Sequence, residues 1–260
     1  MNKKKIPAAL CAEKIASLLG NGVCVRVFDT IDSTNNEAKR MLESGFSGFA
    51  LVAAETQTGG RGRLGRSFYS PESTGLYFTV IIPPCFSAEE ATLLTPAAAV
   101  ATVRVLEEIS GERLGIKWVN DIYKNDKKIC GILAEAVLDM ACGGFAGFSV
   151  GIGINLTTED FPEDIADIAA SLKTEADRNE IAAGIALKLF AFAKNLAARE
   201  FLPEYRRHSL VTGKEIYFIK DGEKTNAAAL GIDDDGGLTV RLENGEVTTL
   251  RGGEISVRIK

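Results

Sequence analysis

Apolar residues along the first 200 positions follow two patterns, one typical of helices and one typical of strands. Apolar positions three and four apart predict helices over residues 8–19, 34–45, 87–109 and 163–199. Alternating or continuous apolar runs predict strands over residues 23–28, 49–55, 75–82, 116–118, 128–137 and 145–151. This order predicts a mixed α/β domain that extends to about Pro203.

Two of the predicted helices begin with the side-chain pattern of a capping box. Residues 34–37 read T-x-x-E and residues 87–90 read S-x-x-E, so each first side chain is expected to bond the backbone N–H three positions on. Inside the predicted helix 87–109, Pro96 either kinks the helix or restarts it with Thr95 as the new cap.

The pattern changes beyond Phe201. Short β-rich runs occur at residues 215–219, 226–232, 238–242, 246–250 and 255–259. Turn signals such as Asp221-Gly222 and Asn244-Gly245 separate them. The spacing predicts a small antiparallel barrel, and hence two domains, residues 1–205 and 211–260.

Composition excludes several classes of protein. The chain has 260 residues, of which 46% are hydrophobic and 25% are charged, so disorder, collagen and coiled coil are excluded. Its five cysteines form no C-x-x-C pair, which argues against a disulfide framework or a four-cysteine metal site and predicts a cytoplasmic location. No apolar stretch has the length of a signal peptide or a membrane span, so no membrane partner is expected. The net charge of −5 argues against general binding to DNA.

The densest chemical signal is the stretch of residues 59–66, GGRGRLGR, which we call the arginine loop. Its glycines let the backbone approach a ligand closely, and its three arginines suit phosphate or carboxylate. It matches neither a phosphate-binding P-loop nor a dinucleotide fingerprint. A flexible basic surface loop is the alternative interpretation.

Three weaker signals accompany the loop. Lys117-Trp118-Val119-Asn120-Asp121 places a lysine on a short strand before a polar turn, and Asp32-Ser33-Thr34-Asn35 lies at a predicted helix start. Gly151-Ile152-Gly153-Ile154-Asn155 ends a strand in glycines. Taken singly, each fits a purely structural role: an edge lysine, a helix cap and a tight turn.

The order of these stretches, with Gly131-Ile132-Leu133, resembles that of the biotin protein ligases, also called biotin–[acetyl-CoA-carboxylase] ligases. The resemblance covers residues 25–156 strongly and the predicted barrel weakly. It implies an α+β fold in which helices flank a mixed sheet, as in class II aminoacyl-tRNA synthetases, followed by a small Src-homology-3-like barrel. Only about 22 residues precede the first predicted strand, so the DNA-binding domain of some members is not expected.

The resemblance also implies a two-step reaction. Biotin and Mg-ATP form biotinyl-5′-AMP, and a lysine of a biotin carboxyl carrier protein domain then takes the biotinyl group. The expected cofactors are therefore the co-substrates ATP and Mg²⁺, with no permanently bound cofactor, no metal-ligating residues and no DNA partner. The family's oligomeric state varies, which leaves a homodimer open.

The family pattern assigns the site residues of this sequence. Lys117 and Arg63 are the expected catalytic residues. Expected biotin-binding residues are Ser33, Thr34, Asn35, Gln57, Arg61, Gly62, Arg63 and Lys117. Expected nucleotide-binding residues are Arg61, Arg63, Asn120, Lys128 and Asn155. His208 and Cys130 are expected to be structural.

The sequence departs from the family pattern at two places. Val119 stands where many members have proline, which is expected to loosen the turn, and Phe68 with Tyr69 stand where many have tryptophan, which predicts a smaller apolar cover over biotin. A lipoate or octanoate ligase is the enzymatic alternative, although a polar side-chain set suits the ureido head of biotin better than an apolar acyl chain. A nucleic-acid-binding module is the alternative from another class, and the net charge argues against it.

Overall fold

The computed structural model of the chain describes residues 8–140, 143–252 and 255–259. The first seven residues and Cys142 therefore lie outside the described residues. The helices are α1 Ala12–Leu19, α2 Thr34–Glu43, α3 Ala88–Ala91, α4 Leu94–Ser110, α5 Glu163–Ala166, α6 Arg178–Lys194 and α7 Leu202–Arg207. The strands are β1 Val23–Ile31, β2 Phe49–Gln57, β3 Gly75–Ile82, β4 Gly115–Lys117, β5 Asp121–Lys124, β6 Lys127–Leu138, β7 Phe145–Asn155, β8 Glu215–Lys220, β9 Glu223–Ile232, β10 Leu238–Leu242, β11 Val247–Leu250 and β12 Ser256–Ile259.

The first seven strands form one sheet in the order β1-β2-β3-β7-β6-β5-β4. β1 and β2 are parallel and the other neighbours are antiparallel. Helices α1, α4 and α6 cover one face of this sheet and enclose the larger core, while the apolar side of α2 covers part of the other face. The interior strand β3 is buried on both faces, in keeping with a sequence that is apolar apart from Thr79. The predicted mixed sheet with flanking helices is confirmed.

The last five strands form a separate antiparallel sheet in the order β11-β10-β9-β8-β12, which agrees with the predicted small barrel. Two hydrogen bonds attach Trp118 and Val119 to later parts of the chain. The Trp118 indole N–H donates to the Gly236 carbonyl at 2.9 Å, and the Tyr205 hydroxyl donates to the Val119 carbonyl at 2.8 Å. The peptide bond between Trp118 and Val119 is cis. Among the described residues, no helix is both long and apolar enough to cross a membrane.

One predicted capping box is confirmed and the other is wrong. Ser87 accepts from the Glu90 N–H, and the Glu90 carboxylate accepts from the Ser87 N–H, as expected. At α2, however, the N-cap position belongs to Ser33, and its side chain makes no capping bond. Thr34 instead directs its N–H and hydroxyl to Gln57, and Glu37 pairs with arginine side chains, so tertiary partners replace the local cap.

Two predicted helices are interrupted. The Pro96 region restarts as predicted, but α4 begins at Leu94 and its cap position is Leu93, so Thr95 is not the cap. Pro96 falls in the first turn, where its missing N–H is not needed. The predicted helix 163–199 is wrong over residues 167–177. In that segment the Ile168 carbonyl accepts from the Lys128 N–H and the Ala170 N–H donates to the Lys128 carbonyl. The helix resumes as α6, which Asp177 caps. β5 and α7 were not predicted.

Candidate functional site

A cleft lies on the face of the seven-stranded sheet that α2 covers, next to the N-terminus of that helix. Its floor consists of glycines on β6 and β7, and Gly131 lies opposite Gly153 in the register of the two strands. A Cβ added to Gly153 would lie 2.6 Å from the Phe68 ring, and one added to Gly151 would lie 1.8 Å from Asn35 Oδ1. The glycines therefore leave the space that these side chains and the cleft occupy.

The end of the cleft beside Gly151, which we call the amide end, is lined by neutral polar groups. The Thr34 backbone N–H donates to Gln57 Oε1 at 2.8 Å, and this fixes the orientation of the Gln57 amide. Gln57 Nε2 then donates to the Ser70 hydroxyl at 3.0 Å. The fully buried Thr79 hydroxyl lies 2.9 Å from Asn35 Oδ1 and 2.8 Å from the Thr34 hydroxyl. Such a connected network presents amide and hydroxyl groups in fixed directions.

The opposite end, which we call the cationic end, gathers Lys117, Lys128, Arg66 and Arg258 around the carboxylate of Asp121. Burial lowers the pKa of the Lys117 ammonium, and the nearby Arg258, Lys128 and Arg66 lower it further. Lysine ammonium and arginine guanidinium groups this close repel one another. The arrangement is therefore suited to an anionic ligand that compensates their charge.

The two lysines reach the cleft differently. Lys128 Nζ lies 2.8 Å from Asp121 Oδ1 and 3.0 Å from the point that a Cβ on Gly131 would occupy, so it lies directly over the floor. Lys117 Nζ donates to the Tyr123 hydroxyl at 3.4 Å. Burial raises the pKa of Tyr123 to about 12, so the phenol stays neutral and adds no negative charge beside Lys117.

The arginine loop folds into a short hairpin above the cleft. Arg61 pairs with Ser67 across it, and the turn contains Leu64 and Gly65 in left-handed conformation. Arg63 Nη1 donates to Asn120 Oδ1 at 2.9 Å, and Nη2 donates to the carbonyl of Ile255 in the small barrel at 3.1 Å. The loop thus contacts the turn between β4 and β5 and the segment that precedes β12.

Most of the predicted site residues line the cleft. They are Thr34, Asn35, Gln57, Arg61, Gly62, Arg63, Lys117, Asn120 and Lys128. The other two predicted site residues, Ser33 and Asn155, are buried and do not line the cleft. Asn155 Nδ2 donates to the Ala170 carbonyl at 3.1 Å. The roles of all these residues stay predictions.

Sequence reasoning missed Arg258 and Glu135, and it gave no role to Asp121 although that residue ends the Lys117–Asp121 stretch. Arg258 and Asp121 line the cationic end, while Phe68, which was expected in the cover over biotin, lies over the glycine floor. Glu135 forms an ion pair with Arg61, at 2.9 Å between Nη2 and Oε1. The signal for Glu135 was its spacing of four residues from Gly131, which puts both on one face of β6. Arg258 gives no local signal, since it lies on another sheet.

The residues expected to be structural occupy structural positions. Cys130 is fully buried in the larger core, and burial raises the pKa of its thiol. His208 Nδ1 lies 2.8 Å from the Leu114 carbonyl, and residue 208 is absent from the set that lines the cleft. Val119 is buried and its carbonyl is bonded to Tyr205.

Two sequence families match the chain. Residues 27–155 match the biotin/lipoate A/B protein ligase family, and residues 211–258 match the biotin protein ligase C terminal domain. The first match contains every residue of the amide end, and the second contains Arg258.

Known proteins resemble the chain over most of its length. It is 33% identical to the bifunctional ligase/repressor BirA of Bacillus subtilis, over 84% of this chain and 69% of the relative. It is 28% identical to the biotin–[acetyl-CoA-carboxylase] ligase of Mycobacterium tuberculosis, over 90% of this chain and 93% of the relative. The structure of the biotin protein ligase from Aquifex aeolicus in complex with biotin and ATP superposes with a TM-score of 0.77 at 29% identity, over 91% of this chain and 99% of that one. The chain belongs to the biotin/lipoate A/B protein ligase family, and within that family it is a biotin protein ligase.

Proposed function

We propose that this ligase makes biotinyl-5′-AMP in the cleft, with the ring system of biotin at the amide end and the reacting carboxylate and α-phosphate at the cationic end. The observation that carries the proposal is the polarity of the cleft. Neutral donors and acceptors lie at one end, where Arg61 is paired with Glu135, and four cationic side chains lie at the other end. Gly151 lies at the amide end, and Gly153 lies opposite Gly131, over which Lys128 lies, so the glycine floor runs from one end of the cleft to the other. This arrangement suits a ligand with a polar head, an apolar chain and an acidic tail.

The amide end fits the ureido group of biotin. A ureido group offers two N–H donors and one carbonyl acceptor. The side-chain amide oxygens of Asn35 and Gln57 can accept from the N–H groups, and the Thr34 hydroxyl can donate to the carbonyl. Buried polar groups that would be left unpaired by an apolar head discriminate strongly against it. The same reasoning favours biotin over lipoate as the substrate.

The cationic end suits the first step. The biotin carboxylate attacks the α-phosphorus of ATP, a new P–O bond forms, and the bond to the β-phosphate breaks to release pyrophosphate. Two anions must approach each other, so the ammonium groups of Lys117 and Lys128 stabilise the charge that develops between them. Lys128 lies over the floor beside Gly131. We therefore assign to Lys128 and Lys117 together the contact with the biotin carboxylate and the α-phosphate.

Magnesium enters in this proposal as part of the ATP substrate. Asp121 is the one carboxylate among the described residues that line the cleft, and its Oδ1 lies 2.8 Å from Lys128 Nζ. Within the described ranges, no three His, Cys, Asp or Glu side chains are grouped to hold a metal ion. A single carboxylate fits Mg²⁺, which commonly binds through one or two carboxylates and substrate phosphates. When bound, the ion would screen the charge of the phosphates.

The second step transfers the biotinyl group to a carrier domain. The amine of the acceptor lysine attacks the acyl carbon, AMP leaves, and the amine loses a proton. Because the acceptor supplies the nucleophile, the ligase needs no nucleophilic side chain of its own. The arginine loop covers the cleft through Arg63 and keeps water from the acyl-adenylate until the carrier arrives.

The test is an incubation of the protein with biotin, Mg-ATP and a purified apo carrier domain. We expect mass spectrometry to detect one added biotinyl group on the carrier, and biotinyl-5′-AMP retained on the protein when the carrier is left out. A parallel incubation with lipoate should give no acyl-adenylate. Acylation of the carrier with lipoate but not with biotin would overturn the proposal.

A further inference from the structure

Glu135 joins the amide end of the cleft to the arginine loop. Its carboxylate receives two N–H groups of Arg61, Nη2 to Oε1 at 2.9 Å and Nη1 to Oε2 at 3.1 Å. The same Oε2 accepts from Asn35 Nδ2 at 3.1 Å. Arg61 Nη1 also lies 3.3 Å from Asn36 Oδ1. One carboxylate therefore contacts both a predicted biotin-binding side chain and the loop above it.

We infer that Glu135 is a positioning residue that orients Asn35 for the biotin ring and holds the arginine loop closed through Arg61. This inference rests on the proposed function, and it gives Arg61 a fastening role in place of direct contact with an anion. The loop is then fastened at two points on either side of the cleft, Arg61 on β6 and Arg63 on Asn120 and the barrel.

The orientation of Asn35 follows from the chemistry of its partners. A carboxylate only accepts hydrogen bonds, so Glu135 fixes the amide nitrogen on its own side. Asn35 Oδ1 is thereby directed toward the Thr79 hydroxyl and the floor at Gly151. Without the carboxylate, the amide nitrogen keeps only its longer bond, 3.3 Å, to the Leu133 carbonyl, so its orientation is held less firmly.

The ion pair itself contributes little to stability. The Arg61 and Glu135 side chains are 41% and 31% exposed, and exposed pairs are screened by solvent. The effect of Glu135 should therefore appear in the retention of ligand rather than in unfolding, and this separates a positioning role from a structural one.

The experiment compares Glu135→Gln, Glu135→Ala and Arg61→Gln with the native protein. Glu135→Gln keeps an acceptor for Asn35 and loses the charge that holds Arg61. We expect the affinity for biotin to stay within about twofold, while the dissociation rate of biotinyl-5′-AMP rises about fivefold, the effect of one charged hydrogen bond near the surface. Glu135→Ala loses both contacts and should weaken biotin binding about tenfold as well. Arg61→Gln added to Glu135→Gln should raise the dissociation rate no further, because both changes break one pair.

Glu43→Ala is the matched control, since Glu43 pairs with Lys39 at 3.7 Å on the same helix as Asn35, with both side chains more than half exposed. It should leave both measurements unchanged. Native retention in both Glu135 variants, or a faster release that always accompanies a lower unfolding midpoint, would overturn the inference. Failure of the native protein to form the adenylate would instead overturn the proposed function.

Discussion

Gly151→Ala tests whether the glycine floor and Asn35 form the biotin site. The added methyl carbon would lie 1.8 Å from Asn35 Oδ1 and within 2.9 Å of the amide nitrogen. Gly151 lies in the middle of β7, where the backbone cannot retreat without disturbing its pairing with Thr79 on β3 and Leu133 on β6. The Asn35 amide must therefore leave its place.

Displacing Asn35 breaks three hydrogen bonds, to the Leu133 carbonyl, to Glu135 and to Thr79. At about 1 kcal/mol each they amount to about 3 kcal/mol. Alanine in a strand recovers about 0.5–1 kcal/mol relative to glycine, so the free energy of unfolding should fall by about 2 kcal/mol. The ligand loses an oriented amide as well as space, and we expect the dissociation constant for biotin to rise about 100-fold.

The assay is isothermal titration of biotin into each variant, with thermal unfolding followed in parallel. Gly231→Ala is the control, because no atom lies within 4 Å of its added Cβ and its φ is not left-handed. It should bind biotin like the native chain. Native affinity in folded Gly151→Ala would refute the placement of biotin beside Asn35.

Three further predictions concern the cationic end and the arginine loop. Lys117→Met and Lys128→Met should each slow pyrophosphate release from biotin and Mg-ATP by about 10²–10³-fold without unfolding the chain, because a group that stabilises developing charge is lost. Turnover near the native rate in either variant would contradict the role of that lysine. Arg63→Gly removes the bonds to Asn120 and Ile255, so biotinyl-5′-AMP should escape and biotinylate bystander lysines, detectable by mass spectrometry, whereas tight retention would argue against a covering loop. The pKa of Lys117 is lowered, and only its protonated form is cationic. As the pH rises, adenylate synthesis should therefore decline at a pH below the ordinary pKa of lysine, and Lys117→Arg should remove that decline. An unchanged pH profile in Lys117→Arg would exclude Lys117 as the titrating group.

Local patterns predicted the elements that depend on local interactions. Apolar spacing indicated nearly every strand of the large sheet, and the S-x-x-E pattern identified a capping box that the structure contains. The T-x-x-E pattern failed because Thr34 has a better partner 23 positions away in Gln57. The helix expected over residues 167–177 failed for a related reason, since its backbone pairs with Lys128.

The candidate site could be predicted only in part, because part of it depends on distant contacts. Arg63 and Ile255, which connect the loop to the barrel, are 192 positions apart. The spacing of Glu135 from Gly131 puts it on the cleft face of β6, but its contact with Asn35 follows from the placement of β6 beside the start of α2, about 100 positions earlier in the chain. A motif search finds conspicuous glycines and cations, whereas single acids and barrel residues become visible only in three dimensions.

The attachment of the small sheet to the Lys117–Asp121 stretch has a consequence for anyone who shortens this protein. Removing the terminal sheet would take away the carbonyl acceptors of the Trp118 indole N–H and of one Arg63 N–H. The loss would therefore arise at the proposed site, far along the chain from the cut. The five strands of the small sheet are therefore better regarded as part of the framework that holds the cleft than as a separable domain.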